Sequence, residues 1–261
     1  MTTVDVVIPT YRETVRLFRA VDSAKRQTFS VSTIWVLDDG SDQSVVDEIE
    51  ARFSEDKQVV FKSVPHTGAP GKLRAMAIGY SSAEWIAFLD SDDYWVDDKI
   101  AKQLELAQQS NSDLVHSNAM KITDTDMEPY FPQGTFSPSP SFCKLVTDNK
   151  LINSSVMVRR MKLLDVDTYC TSSKVSGVED YATWLRLATK VKLVGSPEPL
   201  TFYEVSLDGL SQQISPNKRI FALKDFLTWS RGRSTTGFVD RLGSVWHRVC
   251  VAFRIFRESL V

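Results

Sequence analysis

The chain has 261 residues, 43% of them hydrophobic, enough to bury one sizeable α/β core. Its formal net charge of −2 argues against nucleic acid as a principal partner. The opening Met1-Thr2-Thr3-Val4-Asp5 has no basic, apolar leader, and nowhere do about 18 apolar residues run together, so neither a standard export signal nor a membrane-spanning helix is expected.

Val4-Asp5-Val6-Val7-Ile8 reads as a strand, and the charge of Asp5 places it off the deepest core. Pro9-Thr10-Tyr11-Arg12 turns into a helix with Val15, Leu17, Phe18 and Val21 as its apolar residues. A second strand, Ile34-Trp35-Val36-Leu37, runs into the acidic turn Asp38-Asp39-Gly40-Ser41-Asp42, where Gly40 gives a tight loop its backbone freedom. Val59 to Val64 forms a third strand, followed by a loop with Gly68, Pro70 and Gly71 and a helix over 72–80. Trp85-Ile86-Ala87-Phe88-Leu89 is apolar enough for a buried strand, and Asp90-Ser91-Asp92-Asp93 stands at its carboxyl end. Strand alternating with helix implies an α/β fold with a mostly parallel, Rossmann-like sheet flanked by helices.

Open α/β sheets bind ligands beyond the carboxyl ends of their strands, and carboxylates there suit a hard divalent cation on a diphosphate. The same residues also suit turns and caps: Ser91 or Asp93 can cap a helix starting near Asp97, and Asp38 and Asp39 can simply close their turn. Glu179-Asp180 has both readings too, because Tyr181, Trp184, Leu185 and Ala188 continue an apolar helical stripe behind it. Arg74 is either a solvated helix residue or a phosphate or carboxylate ligand, and Trp95 either core or a wall against a sugar. His66 reads as structural or exposed and His116 as a core residue at a strand end; neither joins a Cys/His cluster, so zinc is not expected.

In order and spacing these segments resemble the family 2 glycosyltransferases, which have the GT-A fold and transfer sugar from a nucleotide diphosphate with inversion. Val7 to Tyr11 is similar to the opening strand and turn, Leu37 to Ser41 to the nucleotide-recognition turn, and Gly71 to Ile78 to the segment whose arginine, here Arg74, lies near the diphosphate. Phe88 to Asp93 resembles the Asp-X-Asp metal motif, and Asn153 to Arg160 the strand that re-enters the sheet below the acceptor. Val178 to Leu187 is similar to the helix start that carries the base, and Pro199 to Tyr203 to the closing strand, so the likeness spans roughly residues 4–212.

The resemblance implies a nucleotide-sugar site at Pro9, Thr10, Tyr11, Asp38, Asp39, Arg74, Asp90 and Ser91. It implies Mn²⁺ or Mg²⁺ at Asp90 and Asp92, with Asp90 turned toward the ribose or the metal and Asp93 behind them. Asp180 is the expected general base, and Glu179, about 100° away on the helix, is expected to point elsewhere. A carboxylate accepting from uracil N3–H favours a UDP-sugar. The chain departs from the family pattern at Ala75, where an asparagine is frequent, and at Glu204 and Ser206, where Arg and His are frequent; water and diphosphate oxygens would then complete the metal shell.

Residues 124–141, with Pro129, Pro132, Pro138, Pro140 and Gly134, read as a long surface loop near the acceptor, either a lid or an ordinary variable loop. Residues 165–177 are similarly loop-like, with functional mobility expected. From Gly237 a helix carries Phe238, Leu242, Val245, Trp246, Val249, Phe253, Phe256 and Leu260 on one face and Arg241, Arg248, Arg254 and Arg257 elsewhere. Six arginines oppose only Asp240 and Glu258 between 231 and 261, which suits an anionic membrane, although the apolar face can equally dock on its own domain or a second subunit. Cys143, Cys170 and Cys250 are odd in number and far apart, with no disulfide framework, which points to a reducing cytosol.

The sequence therefore divides into a catalytic domain, 1–215, and a basic amphipathic helical extension, 216–261. The expected protein is cytoplasmic, with a nucleotide sugar and a saccharide or lipid-linked saccharide as substrates; a peripheral place on the inner membrane face and a homodimer are left open, a core-facing stripe being the commoner use of such a helix. Three rivals remain at this point. A nucleotidyltransferase would want a Gly-rich N-terminal loop in place of Pro9-Thr10-Tyr11-Arg12, and an Asp-X-Asp phosphohydrolase would want Thr in place of Tyr94. A non-catalytic nucleotide-binding module would use its acidic turns only as caps.

Overall fold

A computed structural model describes residues 1–205, 217–232 and 238–258, without the side chains of 217, 238–245 and 257–258. Ser206, Leu260 and the side chains of Phe238, Arg241, Leu242, Val245 and Arg257 therefore lie outside the described residues. The elements in order are β1 (Val4–Thr10), α1 (Val15–Lys25), β2 (Thr33–Asp38), α2 (Gln43–Phe53), β3 (Val59–Ser63), α3 (Pro70–Tyr80), β4 (Trp85–Phe88), β5 (Tyr94–Trp95) and α4 (Lys99–Ser110). There follow β6 (Leu114–Ile122), β7 (Met127–Pro129), α5 (Phe142–Thr147), β8 (Met157–Arg159), α6 (Arg160–Leu164), α7 (Glu179–Leu187), β9 (Leu193–Glu204), α8 (Asn217–Arg231) and α9 (Phe238–Glu258).

The strands form one sheet in the order β3-β2-β1-β4-β8-β6-β9-β5, with β7 paired to β6. The first four strands are parallel, as alternating strand and helix require. The short β8 enters antiparallel between β4 and β6 and turns the sheet into its second half. The carboxyl ends of β1, β2 and β4 thus open on one edge, directly beside β8.

Alternation along β1 divides the core. Val4, Val6 and Ile8 face α1 and α4, whereas Val7 faces α3 and α7. Asp5 was expected to keep β1 off the deepest core, yet β1 lies between β2 and β4 and Asp5 is buried. Hydrogen bonding resolves the conflict: Trp35 Nε1 donates to Asp5 Oδ2 at 2.9 Å and Ser81 Oγ at 2.6 Å.

The C-terminal helices share this core. Ala222, Leu223 and Phe226 of α8 and Val251 of α9 are buried in the same cluster as Leu145, Trp184 and Leu185. Arg186 of α7 reaches Asp225 of α8 at 2.6 Å, Trp229 Nε1 donates to Asp167, and Arg248 donates to the carbonyl of Ser230 at 2.6 Å. His247 packs on Phe142 of α5, and Cys250 Sγ lies 2.7 Å from Cys143 Sγ. Folding thus brings together two cysteines 107 positions apart, a proximity that spacing does not reveal.

One face of α9 is therefore docked on its own domain. The stripe Trp246, Val249, Phe253 and Phe256 lies on the other face and is exposed. Among the described residues no helix is long and apolar enough to cross a membrane.

Candidate active site

The acidic turn after β2 is held from within. Asp38 is fully buried; its Oδ2 accepts from the Ser41 N–H at 3.0 Å and from Ser63 Oγ at 2.7 Å, and its Oδ1 accepts from Ser41 Oγ. Asp39 accepts from Thr67 N–H and Oγ1 at 2.8 and 2.9 Å and from the Gly68 N–H at 2.9 Å. Gly40, at φ +72°, lets this turn meet the following loop: a Cβ there would lie 2.6 Å from the His66 nitrogen. Both carboxylates thus serve the turn, and direct acceptance from a uracil N3–H gains no support from their geometry. Pro9 and Thr10 are buried beneath, and the Thr10 carbonyl accepts from the Asp39 N–H at 2.9 Å. Tyr11 is exposed and stacks on His66, with ring centroids 4.6 Å apart, so the flat surface at this strand end is aromatic.

Arg74 is no solvated helix residue. It is buried, with Nη2 2.6 Å from Asp90 Oδ1 and Nη1 3.2 Å from Glu179 Oε1. Burial works against its charge, but Tyr169, Asp90 and Glu179 outweigh that cost and hold the guanidinium pKa above its usual range. Its helix reaches this depth because of Gly71: a Cβ there would lie 2.3 Å from the Cys170 carbonyl oxygen and 2.9 Å from Glu179 Cγ. Pro70 opens the helix, two residues before the expected start, since its missing N–H costs nothing in the first turn.

The strand end after β4 is equally fixed. Asn153 Nδ2 donates to Asp90 Oδ1 at 2.7 Å, and Tyr169 donates to Asn153 Oδ1 at 2.8 Å. Ser154 accepts from the Asp90 N–H and donates to Asp93 Oδ2, while the Glu204 N–H meets Asp93 Oδ1. Asp93 is buried behind the motif, its carboxyl pushed well above the usual range by burial and then by Asp92 and Asp90. Ser91 and Asp92 remain partly exposed. Neither Ser91 nor Asp93 caps α4, which begins at Lys99 after Asp98. Trp95 is core, donating its indole N–H to the Ser154 carbonyl at 2.7 Å.

Burial, followed by repulsion from Asp90, pushes Asp92 up to about 6. Two neighbouring carboxylates that resist sharing negative charge, with hard oxygen donors, fit a divalent cation. Among the described residues no three His, Cys, Asp or Glu side chains converge as a complete metal cage. A Mg²⁺ site commonly takes one or two carboxylates together with substrate phosphates. Arg19 braces the motif from α1, donating to the Asp92 carbonyl at 2.9 Å and pairing with Glu204 at 2.5 Å.

Asp180 stands at the start of α7 and is partly exposed, its Oδ1 accepting from the Tyr181 N–H at 2.6 Å. Burial and the adjacent Glu179 push its carboxyl up to about 7, with Asp90 adding to the effect and Arg74 opposing it. Glu179 was expected to point away. Instead it joins the site through Arg74 and accepts from the Gly177 N–H at 2.5 Å. Asp92, Asp90, Arg74, Glu179 and Asp180 therefore form one continuous electrostatic array. Sequence reasoning missed Glu179, Asn153, Ser154 and Tyr169 as members. The Asn153-Ser154-Ser155 cluster directly before β8 was the available signal, whereas nothing marked Tyr169.

The two irregular segments border this array. Residues 124–141 contain β7, are pinned by Phe131 and by the Gly195 N–H to the Pro138 carbonyl at 2.6 Å, and carry Tyr130 close enough to Asp180 for that charge to add to burial in disfavouring its phenolate. Residues 165–177 are irregular as expected but anchored, with Tyr169, Cys170 and Val175 buried. His116 is buried with both ring nitrogens unpartnered, and burial lowers it to about 3.

The family model described as glycosyl transferase family 2 matches residues 5–177. An uncharacterized glycosyltransferase of Rickettsia felis is 26% identical over 217 residues, covering 83% of this chain but 35% of the relative, so the chain spans about a third of that protein. The Escherichia coli UDP-Glc:alpha-D-GlcNAc-diphosphoundecaprenol beta-1,3-glucosyltransferase WfaP is 27% identical over 214 residues, covering 81% of this chain and 80% of the relative. The crystal structure of Staphylococcus aureus TarS 1–349 in complex with UDP-GlcNAc superposes with a TM-score of 0.75 at 17% identity, over 98% of this chain and 73% of that one; it shares the GT-A-like fold.

Proposed function

The chain belongs to glycosyl transferase family 2, and from that membership we propose an inverting transfer of a hexosyl or N-acetylhexosaminyl group from a UDP-sugar to a lipid-linked saccharide. The observation that carries this reading is the bridge of Arg74 between Asp90 and Glu179, which links the acidic strand end to the neighbour of Asp180. The donor assignment is supported by the printed UDP-Glc activity of the Escherichia coli relative, and the acceptor by its diphosphoundecaprenol substrate.

Asp90 and Asp92 would hold Mn²⁺ or Mg²⁺, which when bound supplies positive charge against the diphosphate leaving group. Arg74 fixes Asp90 and lends its own charge to that strand end. Pro9, Thr10, Asp38, Asp39 and Ser91 shape the loops around the nucleotide, and Tyr11 on His66 offers the base a stacking surface. Asp180 takes the proton of the acceptor hydroxyl; with its carboxyl near 7 it is a stronger base than an ordinary aspartate and still ionised in part at neutral pH. Attack from the Asp180 side, opposite the leaving diphosphate, inverts the anomeric centre.

Residues 1–215 serve as the catalytic unit and 216–261 as its extension. The exposed stripe of Trp246, Val249, Phe253 and Phe256, on a segment rich in arginine, supports peripheral contact with an anionic cytoplasmic membrane face, where a lipid-linked acceptor resides.

Purified chain incubated with a panel of nucleotide sugars and a polyprenyl-diphosphate-linked GlcNAc should release UDP only with Mn²⁺ or Mg²⁺. Asp180→Asn should bind donor and fail to transfer. Release of pyrophosphate, or full transfer by Asp180→Asn, overturns the assignment.

A further inference from the structure

We propose that Cys143 and Cys250 form a redox clasp, a disulfide site that fastens α9 to α5. Their sulfurs lie 2.7 Å apart, well inside the ~3.5–4.0 Å at which even two non-bonded carbons settle, and only a small closure separates them from the ~2.05 Å of an S–S bond. The pair is local to a packed contact: the Phe142 ring, beside Cys143, packs at a tilt on His247 at 4.3 Å and on Phe226 at 5.2 Å between centroids, and Val251, beside Cys250, is buried. Both thiols are partly exposed, so a small oxidant reaches them, whereas Cys170 is buried and engaged by Arg186.

The oxidant is a small-molecule disulfide of the glutathione class. The thiolate of one of the two cysteines attacks one oxidant sulfur, forming a mixed disulfide and expelling the first thiolate. The other cysteine then attacks the protein sulfur of that mixed disulfide, the S–S bond forms, and the second oxidant thiolate leaves. The two protons lost by the cysteines go to the two released thiols, and the two electrons pass to the oxidant. Burial, with Cys143 beside it, pushes the Cys250 thiol up to about 11, so thiolate forms more readily as pH rises.

The clasp lies close to the site. Tyr181, next to Asp180, donates to the carbonyls of Leu145 and Val146 in α5, at 3.0 and 3.1 Å. Oxidation therefore ties α9 to the helix that seats the first turn of α7.

The test uses the full chain incubated with oxidised glutathione or with dithiothreitol, followed by alkylation of free thiols, trypsin digestion and mass mapping. Oxidation should join the peptides holding positions 143 and 250, remove their alkylation, and leave Cys170 alkylated after denaturation; dithiothreitol should reverse it. Cys143→Ser and Cys250→Ser should each abolish the cross-linked peptide, and in each variant a mixed disulfide should accumulate on the cysteine of the pair that remains. The proposal is overturned if both cysteines stay alkylatable in the oxidised wild-type chain, or if the linkage that forms is between two molecules or to Cys170.

Discussion

Nη2 of Arg74 lies 2.6 Å from Oδ1 of Asp90, so a helix beginning at Pro70 and the turn that follows β4 are joined by a charge-assisted hydrogen bond inside the protein. Arg74→Ala leaves Asp90 and Glu179 without their shared cation. It should lower stability by about 3–5 kcal/mol, seen as a lower urea midpoint. Arg74→Lys keeps the charge but cannot span two carboxylates with two nitrogens; it should fold and lose at least ~10-fold in UDP release.

Transfer should climb as pH rises through about 7, because Asp180, as the proposed base, would have to be ionised to accept a proton and its carboxyl is pushed up to that value. A rate profile flat from about pH 5 to 8 contradicts the assignment.

The same group affects stability with a defined sign. Asp180 binds its proton more tightly folded than unfolded, so its contribution is fully present below the unfolded value of about 3.9 and is lost as pH rises through about 7. Asp180→Asn should therefore raise Tm at about pH 8, by an amount equivalent to about 1 kcal/mol or more, with little change at about pH 4. An equal shift at both pH values would mean that the effect is not electrostatic.

Gly71→Ala should destabilise by about 1–3 kcal/mol, because the new methyl meets the Cys170 carbonyl at 2.3 Å. Gly79→Ala in the same helix is the control: nothing lies within 4 Å, and replacing a helical glycine should stabilise by roughly 0.5–1 kcal/mol. Chemical denaturation of the pair separates local packing from helix propensity.

Trp246→Ser combined with Phe253→Ser should weaken co-sedimentation with anionic vesicles and leave Tm unchanged, since both rings are exposed. Undiminished vesicle binding would remove this stripe from the interface.

Periodicity and strand-end charge carried much of the fold. The parallel half of the sheet followed from apolar runs separated by helical patterns, and β1, β2 and β4 lie where those runs are. Asp5 misled because its two donors, Trp35 and Ser81, come from 30 and 76 residues away, and a lone charge in a strand gives no sign of distant partners. Glu179 misled for a related reason. Helical geometry separates it from Asp180, but Arg74 approaches from α3 and gives it a place that α7 alone does not reveal. In α9 the aromatic stripe was legible, yet its opposite face binds the domain through His247, Cys250 and Val251, contacts that depend on where α5 lies.

Asp38 has one more consequence. With three hydrogen bonds from Ser41 and Ser63 already on its carboxylate, the loop after β2 is set before any nucleotide arrives. Little conformational freedom is then left there to forfeit on association, and Asp38→Ala should show itself as a loosened apo loop and a steeper entropic penalty in titration calorimetry with UDP, rather than as one missing contact.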